Sequence, residues 1–339
     1  MRIGMVAPPW FEVPPKGYGG IEWLCHWLTE GLVKRGHEVV LIGSGNNNTS
    51  ARFLQTFAEP PTERLGESLP EVLHSALVAS FLDDLALDVV HDHSFAGPLS
   101  ARGRNTPTIV TAHGPVDGEV AHYYAALGRT INLVAISDAQ QRQAPQLPWT
   151  TTIHNGVPIA EYPFSEDKDD YLLFLGRMSP EKGAHLAIQA ARDADLPLVI
   201  AGKCNEPLEK AYFETQIKPL LGPDIDWIGA AETKRKKELL VKARCLVFPI
   251  MWEEPFGIVM VEAMACGTPV VALRGGSVAE IVEDGVTGFI CDHASDLPEA
   301  IKRSSLIEPA ACRARALRLF DTSKMVESYE RLYEVTSHR

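Results

Sequence analysis

Two cations, Arg177 and Lys182, follow a short apolar run at residues 171–176. The run is typical of a buried strand, and doubly wound α/β folds bind their ligands at the carboxyl ends of such strands. An arginine can form two hydrogen bonds to phosphate oxygens, and a lysine acts as a movable point charge. The segment therefore predicts a diphosphate site, although two solvated surface charges would explain it equally well.

A longer segment, residues 253–269, places two carboxylates around a predicted helix start. Pro255 is typical of a first helical turn, whose amides lack partners within the helix and can bind an anion or a hydroxyl. Glu254 lies beside these amides, and Glu262 follows a little over two helical turns later. An amphipathic helix would explain Glu254 near its start, but it would not explain Glu262 within an apolar run. The two carboxylates therefore favour vicinal sugar hydroxyls as ligands.

A glycine-rich turn at residues 16–20 separates the first predicted strand from the first predicted helix. Gly17, Gly19 and Gly20 would let the backbone approach a ligand, and the following helix N-terminus favours an anion. The turn lacks the third glycine of the dinucleotide-binding fingerprint, and the chain has no P-loop motif. A plain turn explains the segment as well as a binding loop does.

Short apolar runs alternate with helix-periodic segments along the whole chain. The runs lie at 3–7, 38–43, 88–93, 108–113, 133–137, 171–176, 196–202, 226–229, 245–250, 269–273 and 288–291. Nearly all-apolar runs are typical of strands buried on both faces, and their alternation with helices indicates parallel sheets. We predict an α/β chain of two Rossmann-like domains whose parallel sheets face an inter-domain cleft.

The length of 339 residues fits two domains of roughly 150 residues each. A segment at 158–170 contains two prolines and a run of charges before a new strand begins, which indicates a domain boundary. We therefore assign residues 1–160 to the first domain and residues 161–321 to the second.

The composition limits the partners of the chain. A net charge of −12 argues against general nucleic-acid binding and against strong docking on anionic lipid, and so favours a soluble partner over a membrane lipid. No apolar stretch is long enough to span a membrane, and Pro8 and Pro9 interrupt the N-terminal apolar run, so we expect neither a membrane span nor a signal peptide. Six scattered cysteines without a CxxC pair indicate reduced core thiols, a cytoplasmic location and no bound metal.

Two further polar clusters are not expected to take part in ligand binding or catalysis. Residues 234–237, Lys-Arg-Lys-Lys, stand at a predicted helix start and are typical of a solvated face, with an anionic binding partner or a lipid surface as the alternative. His91 and His93 point to one face of a strand. Because no third ligand is evident nearby, they favour a polar rim of the cleft over a zinc site.

In this order, the motifs resemble those of family-4 glycosyltransferases, which have the GT-B fold. The resemblance covers almost the whole chain and is strongest from 171 to 292. It rests on the segments described above and on three more, namely Asn155-Gly156-Val157, Gly275-Gly276 with Glu280, and residues 284–288.

The resemblance implies a role for each candidate residue. Glu254 would contact hydroxyls of the donor sugar, Glu262 would hold the ribose, and Arg177 with Lys182 would bind the diphosphate. His113 would reach the sugar from the first domain, and the glycine-rich turn would approach the phosphate and the acceptor. The backbone amides that would cradle the sugar and phosphate belong to Phe256, Gly257, Ile258 and Val259.

The resemblance also implies the reaction, which is transfer of a sugar from a UDP-, GDP- or ADP-sugar to a hydroxyl acceptor with retention of anomeric configuration. The front-face mechanism of the family needs neither a metal ion nor a cofactor. A last helix, residues 322–336, would pack back on the first domain. Two alternatives remain: a GT-B epimerase or hydrolase, which needs acid/base groups in the cleft, and a non-catalytic sugar-binding protein, which has no use for Arg177 and Lys182.

Overall fold

A computed structural model describes residues 1–17 and 19–337 of the chain, so Tyr18 of the glycine-rich turn lies outside the described residues. The chain divides into two compact units. The first unit contains Met1–Gly156 together with Thr322–Arg339, and the second unit contains Val157–Asp321. The chain therefore passes from one unit to the other twice.

The first unit is built on a seven-stranded parallel sheet with the strand order β3-β2-β1-β4-β5-β6-β7. Its strands are β1 (Arg2–Val6), β2 (Glu38–Gly43), β3 (Arg52–Gln55), β4 (Val89–Asp92), β5 (Thr108–Ala112), β6 (Asn132–Ala135) and β7 (Trp149–Thr152). Its first helices are α1 (Gly20–Lys34), α2 (Ser68–Asp83), α3 (Gly118–Leu127) and α4 (Asp138–Gln143). The central strands are buried because helices cover both faces of a parallel sheet.

The second unit is built on a six-stranded parallel sheet with the order β10-β9-β8-β11-β12-β13. Its strands are β8 (Leu172–Leu175), β9 (Leu198–Ala201), β10 (Ile225–Trp227), β11 (Cys245–Phe248), β12 (Val270–Leu273) and β13 (Gly288–Cys291). Its helices are α5 (Ala184–Ala194), α6 (Pro207–Tyr212), α7 (Thr233–Lys242), α8 (Ile258–Ala265), α9 (Val278–Ile281), α10 (Leu297–Arg303) and α11 (Pro309–Phe320).

The last helix, α12 (Thr322–Ser337), belongs to the first unit and packs on α1. A Cβ atom at Gly31 of α1 would collide with Val326, so the missing side chain at Gly31 permits the close approach of the two helices. His37 Nε2 also lies 2.8 Å from Glu330 Oε1. Apolar and polar contacts together attach this late segment to the first sheet.

Both strand orders reverse direction beside the first strand of their sheet, between β1 and β4 and between β8 and β11. Ligands of open α/β sheets bind at the carboxyl ends of the strands at such a switch point. The predicted fold class of two parallel-sheet α/β domains is confirmed. All the predicted apolar runs form strands, whereas β3 and β7 were not predicted. No helix within the described residues is long and apolar enough to cross a membrane.

Candidate functional site

The loops after β8 and β11 bring Lys182 and Glu254 together at the switch point of the second sheet. Lys182 Nζ lies 2.6 Å from Glu254 Oε2, and both side chains are largely buried. The indole Nε1 of Trp252 donates to the same carboxylate oxygen over 2.9 Å, and Lys182 Nζ lies 4.6 Å from the Trp252 ring centroid. A cation, a carboxylate and an aromatic face therefore share one small volume.

Arg177 lies in the same loop as Lys182 but has different partners. Its guanidinium Nη2 donates to Glu181 over 3.3 Å, and Nη1 lies 3.9 Å from a buried carboxylate oxygen of Glu209. The other oxygen of Glu209 accepts the backbone N–H groups of residues 205 and 206, which fixes the carboxylate. About a third of the Arg177 side chain is exposed (31%), so its fork remains accessible to an anion.

Backbone contacts hold the Glu254 segment in place. The Glu254 carbonyl accepts the N–H of Ser277 over 3.0 Å, and Gly276 N–H donates to Glu253 over 2.6 Å. Gly276 has φ 47°, and a Cβ there would collide with the backbone of Glu254. The loop after β12 is thus packed directly against the loop that carries Glu254. Met251 N–H in turn donates to the Glu181 carbonyl over 2.8 Å, which joins the loops after β8 and β11.

Helix α8 begins at Ile258, so the prediction that Pro255 lies in its first turn is wrong. Gly257 has φ 72°, a left-handed conformation that ends the preceding loop and starts the helix three residues later than predicted. Of the residues predicted to supply backbone amides, Ile258 and Val259 lie in the first turn of α8, whereas Phe256 and Gly257 lie in the loop before it. The Phe256 side chain is buried and its carbonyl accepts the Ser277 hydroxyl, so its side chain belongs to the core.

Glu262 lies inside α8 and is only 3% exposed. Its Oε1 accepts a hydrogen bond from the Tyr162 hydroxyl over 2.7 Å and lies 2.5 Å from Lys236 Nζ. The solvated face predicted for residues 234–237 is therefore wrong at Lys236. Neither partner was predicted, because Tyr162 and Lys236 lie 100 and 26 positions away from Glu262 in sequence.

In the first unit, His113 follows β5 and pairs with His93, which follows β4. His113 Nε2 lies 2.8 Å from His93 Nδ1, and the two rings are stacked. Burial lowers the pKa of His113 to about 4 and holds the pKa of His93 well below its ordinary value. Both imidazoles are therefore neutral near pH 7 and can act only as neutral donors or acceptors.

His91 is fully buried, so its predicted place at a polar rim is wrong. Its Nδ1 lies 2.7 Å from the Tyr333 hydroxyl and its Nε2 lies 2.8 Å from the Thr111 hydroxyl. Tyr329 completes the group with a 2.8 Å hydrogen bond to Thr111. Helix α12 thus supplies one direct partner of His91, Tyr333, and holds the other, Thr111 of β5, through Tyr329. The His91 ring contacts the ring of His93, with the two centroids 4.0 Å apart.

The glycine-rich turn leads into α1, but its glycines differ in their surroundings. Gly19 has φ 145° and faces Pro15 and the Glu22 carboxylate, whereas a Cβ at Gly17 or Gly20 would meet no atom within 4 Å. Glu22 was missed at the sequence level because it resembles an ordinary first-turn carboxylate. It is 3% exposed, and burial raises its pKa to about 7.

Within the described residues, no cluster of three or more His, Cys, Asp or Glu side chains is arranged to hold a metal ion.

The predicted site residues form separate groups. Lys182 and Glu254 are in contact, Arg177 lies in the Lys182 loop, Glu262 lies further along α8, and His113 lies in the first unit.

Two family models match nearly the whole chain in consecutive segments. Residues 18–161 match Glycosyltransferase Family 4, and residues 160–310 match Glycosyl transferases group 1. The chain is 28% identical to the glycogen synthase of Mycobacterium tuberculosis, across 93% of this chain and 88% of that protein. It is 25% identical to the phosphatidyl-myo-inositol mannosyltransferase of Mycobacterium leprae, across 99% of this chain and 97% of that protein.

Solved structures show the same architecture. AviGT4, a glycosyltransferase involved in avilamycin A biosynthesis, is 27% identical and superposes with a TM-score of 0.77, covering 100% of this chain and 98% of AviGT4. Anabaena HepE, solved with UDP and glucose, is 19% identical with a TM-score of 0.78 and covers 99% of this chain and 100% of HepE. The two parallel sheets and the two family-model matches together define a glycosyltransferase of the GT-B fold. The chain belongs to the family-4 glycosyltransferases.

Proposed function

We propose that this glycosyltransferase moves a sugar from a nucleoside diphosphate sugar to a hydroxyl acceptor, with retention of configuration and without a metal ion. The contact between Lys182 and Glu254 carries the proposal. A donor has a negatively charged diphosphate joined directly to a sugar rich in hydroxyls. A cation and a hydroxyl-accepting carboxylate in contact match the two sides of that junction.

In the proposed reaction, the bond between the anomeric carbon and the diphosphate oxygen breaks first. The electron pair of that bond leaves with the diphosphate, while the sugar gains oxocarbenium character. Arg177, Lys182 and the amides at the start of α8 stabilise the growing negative charge. The acceptor oxygen then attacks the same face of the sugar, and its proton passes to the departing phosphate oxygen. No carboxylate nucleophile is required, in contrast to retaining glycosidases.

The other predicted residues bind rather than react in this proposal. Glu254 accepts hydrogen bonds from sugar hydroxyls and Glu262 from ribose hydroxyls. His113 is held by His93 and contacts the sugar as a neutral imidazole. The glycine-rich turn approaches the phosphate and the acceptor. The acidic net charge favours a soluble acceptor, but the mannosyltransferase relatives take their name from phosphatidyl-myo-inositol, so tests must include a lipid acceptor.

The proposal is tested by incubating the chain with UDP-, GDP- and ADP-glucose and the matching mannose donors, each with a sugar, an aglycone alcohol and a phosphatidylinositol acceptor. Nucleotide release reports turnover, and proton NMR of the product reports its anomeric configuration. We expect one donor to react in the presence of EDTA, with an α-linked product from an α-linked donor.

Glu254→Gln should lower turnover of that donor by about 10²-fold or more. Glu238→Gln is the matched control, because Glu238 lies in the same unit and forms an exposed ion pair with Arg235. An inverted product, or turnover that requires added divalent cations, would contradict the proposed mechanism.

A further inference from the structure

The basic run at residues 234–237 takes part in a buried contact. Lys236 extends from α7 to Glu262 of α8, where its Nζ lies 2.5 Å from Oε1. Lys237, the next residue, donates to the Glu161 carbonyl over 3.0 Å and lies 4.5 Å from the Tyr162 ring centroid. Two consecutive lysines of α7 therefore contact Glu262 and the segment that contains Tyr162.

Tyr162 contacts the same carboxylate from an earlier segment of the chain, 100 positions before Glu262. It follows a short 3₁₀ turn, Ile159–Glu161, and its hydroxyl donates to Glu262 Oε1 over 2.7 Å. Burial and the Glu262 charge raise the pKa of Tyr162, so the phenol keeps the proton that it donates. Its backbone is also fixed, because Arg313 donates to the Tyr162 carbonyl over 3.0 Å.

Both donors act on one oxygen of Glu262. Within the described residues, Oε1 accepts both bonds, and Oε2 has no hydrogen-bond partner. A carboxylate that is held in this way cannot rotate freely, and its second oxygen has a defined direction. The buried carboxylate also keeps a countercharge in Lys236, so it remains a strong hydrogen-bond acceptor.

We propose that Lys236 and Tyr162 are positioning residues that fix Oε1 of Glu262 and thereby reserve Oε2 for a ribose hydroxyl of the donor nucleotide. This inference rests on the proposed function. It makes the pair a determinant of selectivity for ribonucleotides over 2′-deoxyribonucleotides. A site whose acceptor is fixed and buried loses its hydrogen bond when the ligand lacks the hydroxyl, and it cannot reorient to water.

The test is the ratio of two dissociation constants, measured by calorimetry for UDP, GDP and ADP and for their 2′-deoxy counterparts. We expect the wild type to bind its preferred ribonucleotide about tenfold more tightly than the 2′-deoxy form. In Lys236→Met and in Tyr162→Phe the ratio should fall to within about threefold of unity. Lys236→Arg, which keeps the charge, should retain most of the ratio.

Lys234→Met is the matched control, because Lys234 lies on the same helix but is exposed. It should keep the wild-type ratio. The thermal midpoint without nucleotide identifies a variant that fails to fold, and Tyr162→Phe then serves in place of Lys236→Met. A ratio that is unchanged in both folded variants, or tighter ribonucleotide binding in Lys236→Met, overturns the positioning role alone. A wild type that binds no nucleotide overturns the proposed function as well.

Discussion

At the scale of single residues, the ion pair of Lys182 and Glu254 keeps two charged side chains stable in a confined volume. The two side chains are largely buried, and their opposite charges lie 2.6 Å apart. Under the proposed function, the diphosphate of the donor would give Lys182 a stronger negative partner, and sugar hydroxyls would replace the ammonium group at Glu254. We therefore expect Lys182 and Glu254 to exchange their mutual contact for contacts with the donor when it binds.

Lys182→Met tests that role. We expect kcat to fall by about 10²–10³-fold, because the variant loses one cation at the leaving diphosphate. The Michaelis constant for the donor should change less, since the developing charge depends on this cation more than the ground state does. Steady-state rates at saturating acceptor give both constants. Lys218→Met, which removes an exposed ion pair with Glu214, should leave both constants unchanged. Equal losses in the two variants would refute a specific role for Lys182.

The neutral state of His113 has a measurable consequence for stability. Burial lowers its pKa to about 4 from the ordinary value of 6.5. Between these values the unfolded chain binds more protons than the folded chain, so the stabilising contribution is complete above pH 6.5 and is lost as pH falls towards 4. From pH 7 to pH 5, the wild type should lose about 1–2 kcal/mol more than His113→Asn.

Hydrogen-exchange protection of the β5 amides measures this loss, because it reports opening of the first unit separately from the second. His122→Asn is the control, since His122 lies in the same unit but is exposed. If wild type and His113→Asn lose the same protection on acidification, His113 is not held neutral by its surroundings.

The sequence indicated candidate chemical groups, but it did not indicate which residues contact them. Glu254 and Glu262 were marked by their type and by their position around a helix start. The partners of Glu262 come from α7 and from the segment before β8, and contacts between residues so far apart leave no periodic signal in one sequence. Trp252 was overlooked as a partner of Glu254 because an aromatic side chain near a strand end is most often core. His93 was predicted at a polar rim, but its contact with His113 was not predicted, because the two residues follow different strands.

At the scale of elements, the loop after β12 decides where the Glu254 segment can lie. Gly276→Ala would place a methyl group against the Glu254 backbone at a position with φ 47°. We expect kcat/KM for the donor to fall by about tenfold or more, because Glu254 would be displaced from Lys182. Steady-state kinetics and the thermal midpoint should be measured on the same preparation.

Gly285→Ala separates displacement from backbone strain. Gly285 has φ 74°, but a Cβ there would meet no atom within 4 Å. This variant should lose about 1 kcal/mol of stability while keeping kcat/KM. Equal losses of kcat/KM in the two variants would show that the close approach to Glu254 is irrelevant.

The elements missed from the sequence share a physical cause. Strands β3 and β7 lie at the two edges of the first sheet and are only partly buried, so they lack the continuous apolar run that marks the inner strands. The start of α8 was misplaced because proline favours a first turn in general, whereas here the left-handed Gly257 sets the boundary. The position of each segment in the tertiary structure determines β3, β7 and the start of α8, and the local sequence pattern does not show that position.

At the scale of the whole molecule, the first unit needs its last helix. Residues 1–156 alone would leave the apolar surface under Met325 and Val326 exposed and would deprive His91 and Thr111 of their tyrosine partners. We expect residues 1–156 to be unfolded or aggregated when expressed alone, and to fold when co-expressed with residues 322–337. Residues 157–321, whose sheet and core are continuous, should fold alone.

Circular dichroism and amide NMR spectra of the three preparations check this expectation. The comparison carries its own control, because the second unit is similar in size to residues 1–156 and differs in having no missing element. A well-dispersed spectrum from residues 1–156 without the helix would show that α12 contributes little to the first unit.

Because α12 belongs to the first unit but is translated last, it also determines the order in which the two units can complete folding during synthesis. The ribosome finishes residues 1–156, then makes the 165 residues of Val157–Asp321, and only then the helix that covers His91 and Thr111. At about 5–20 residues per second, roughly 10–30 s pass before α12 is made, and until then His91 and Thr111 lack their tyrosine partners. The second unit can finish folding within that interval. The half of the chain that is translated first is therefore the half that matures last, and during that delay it depends on whatever shields nascent chains from aggregation.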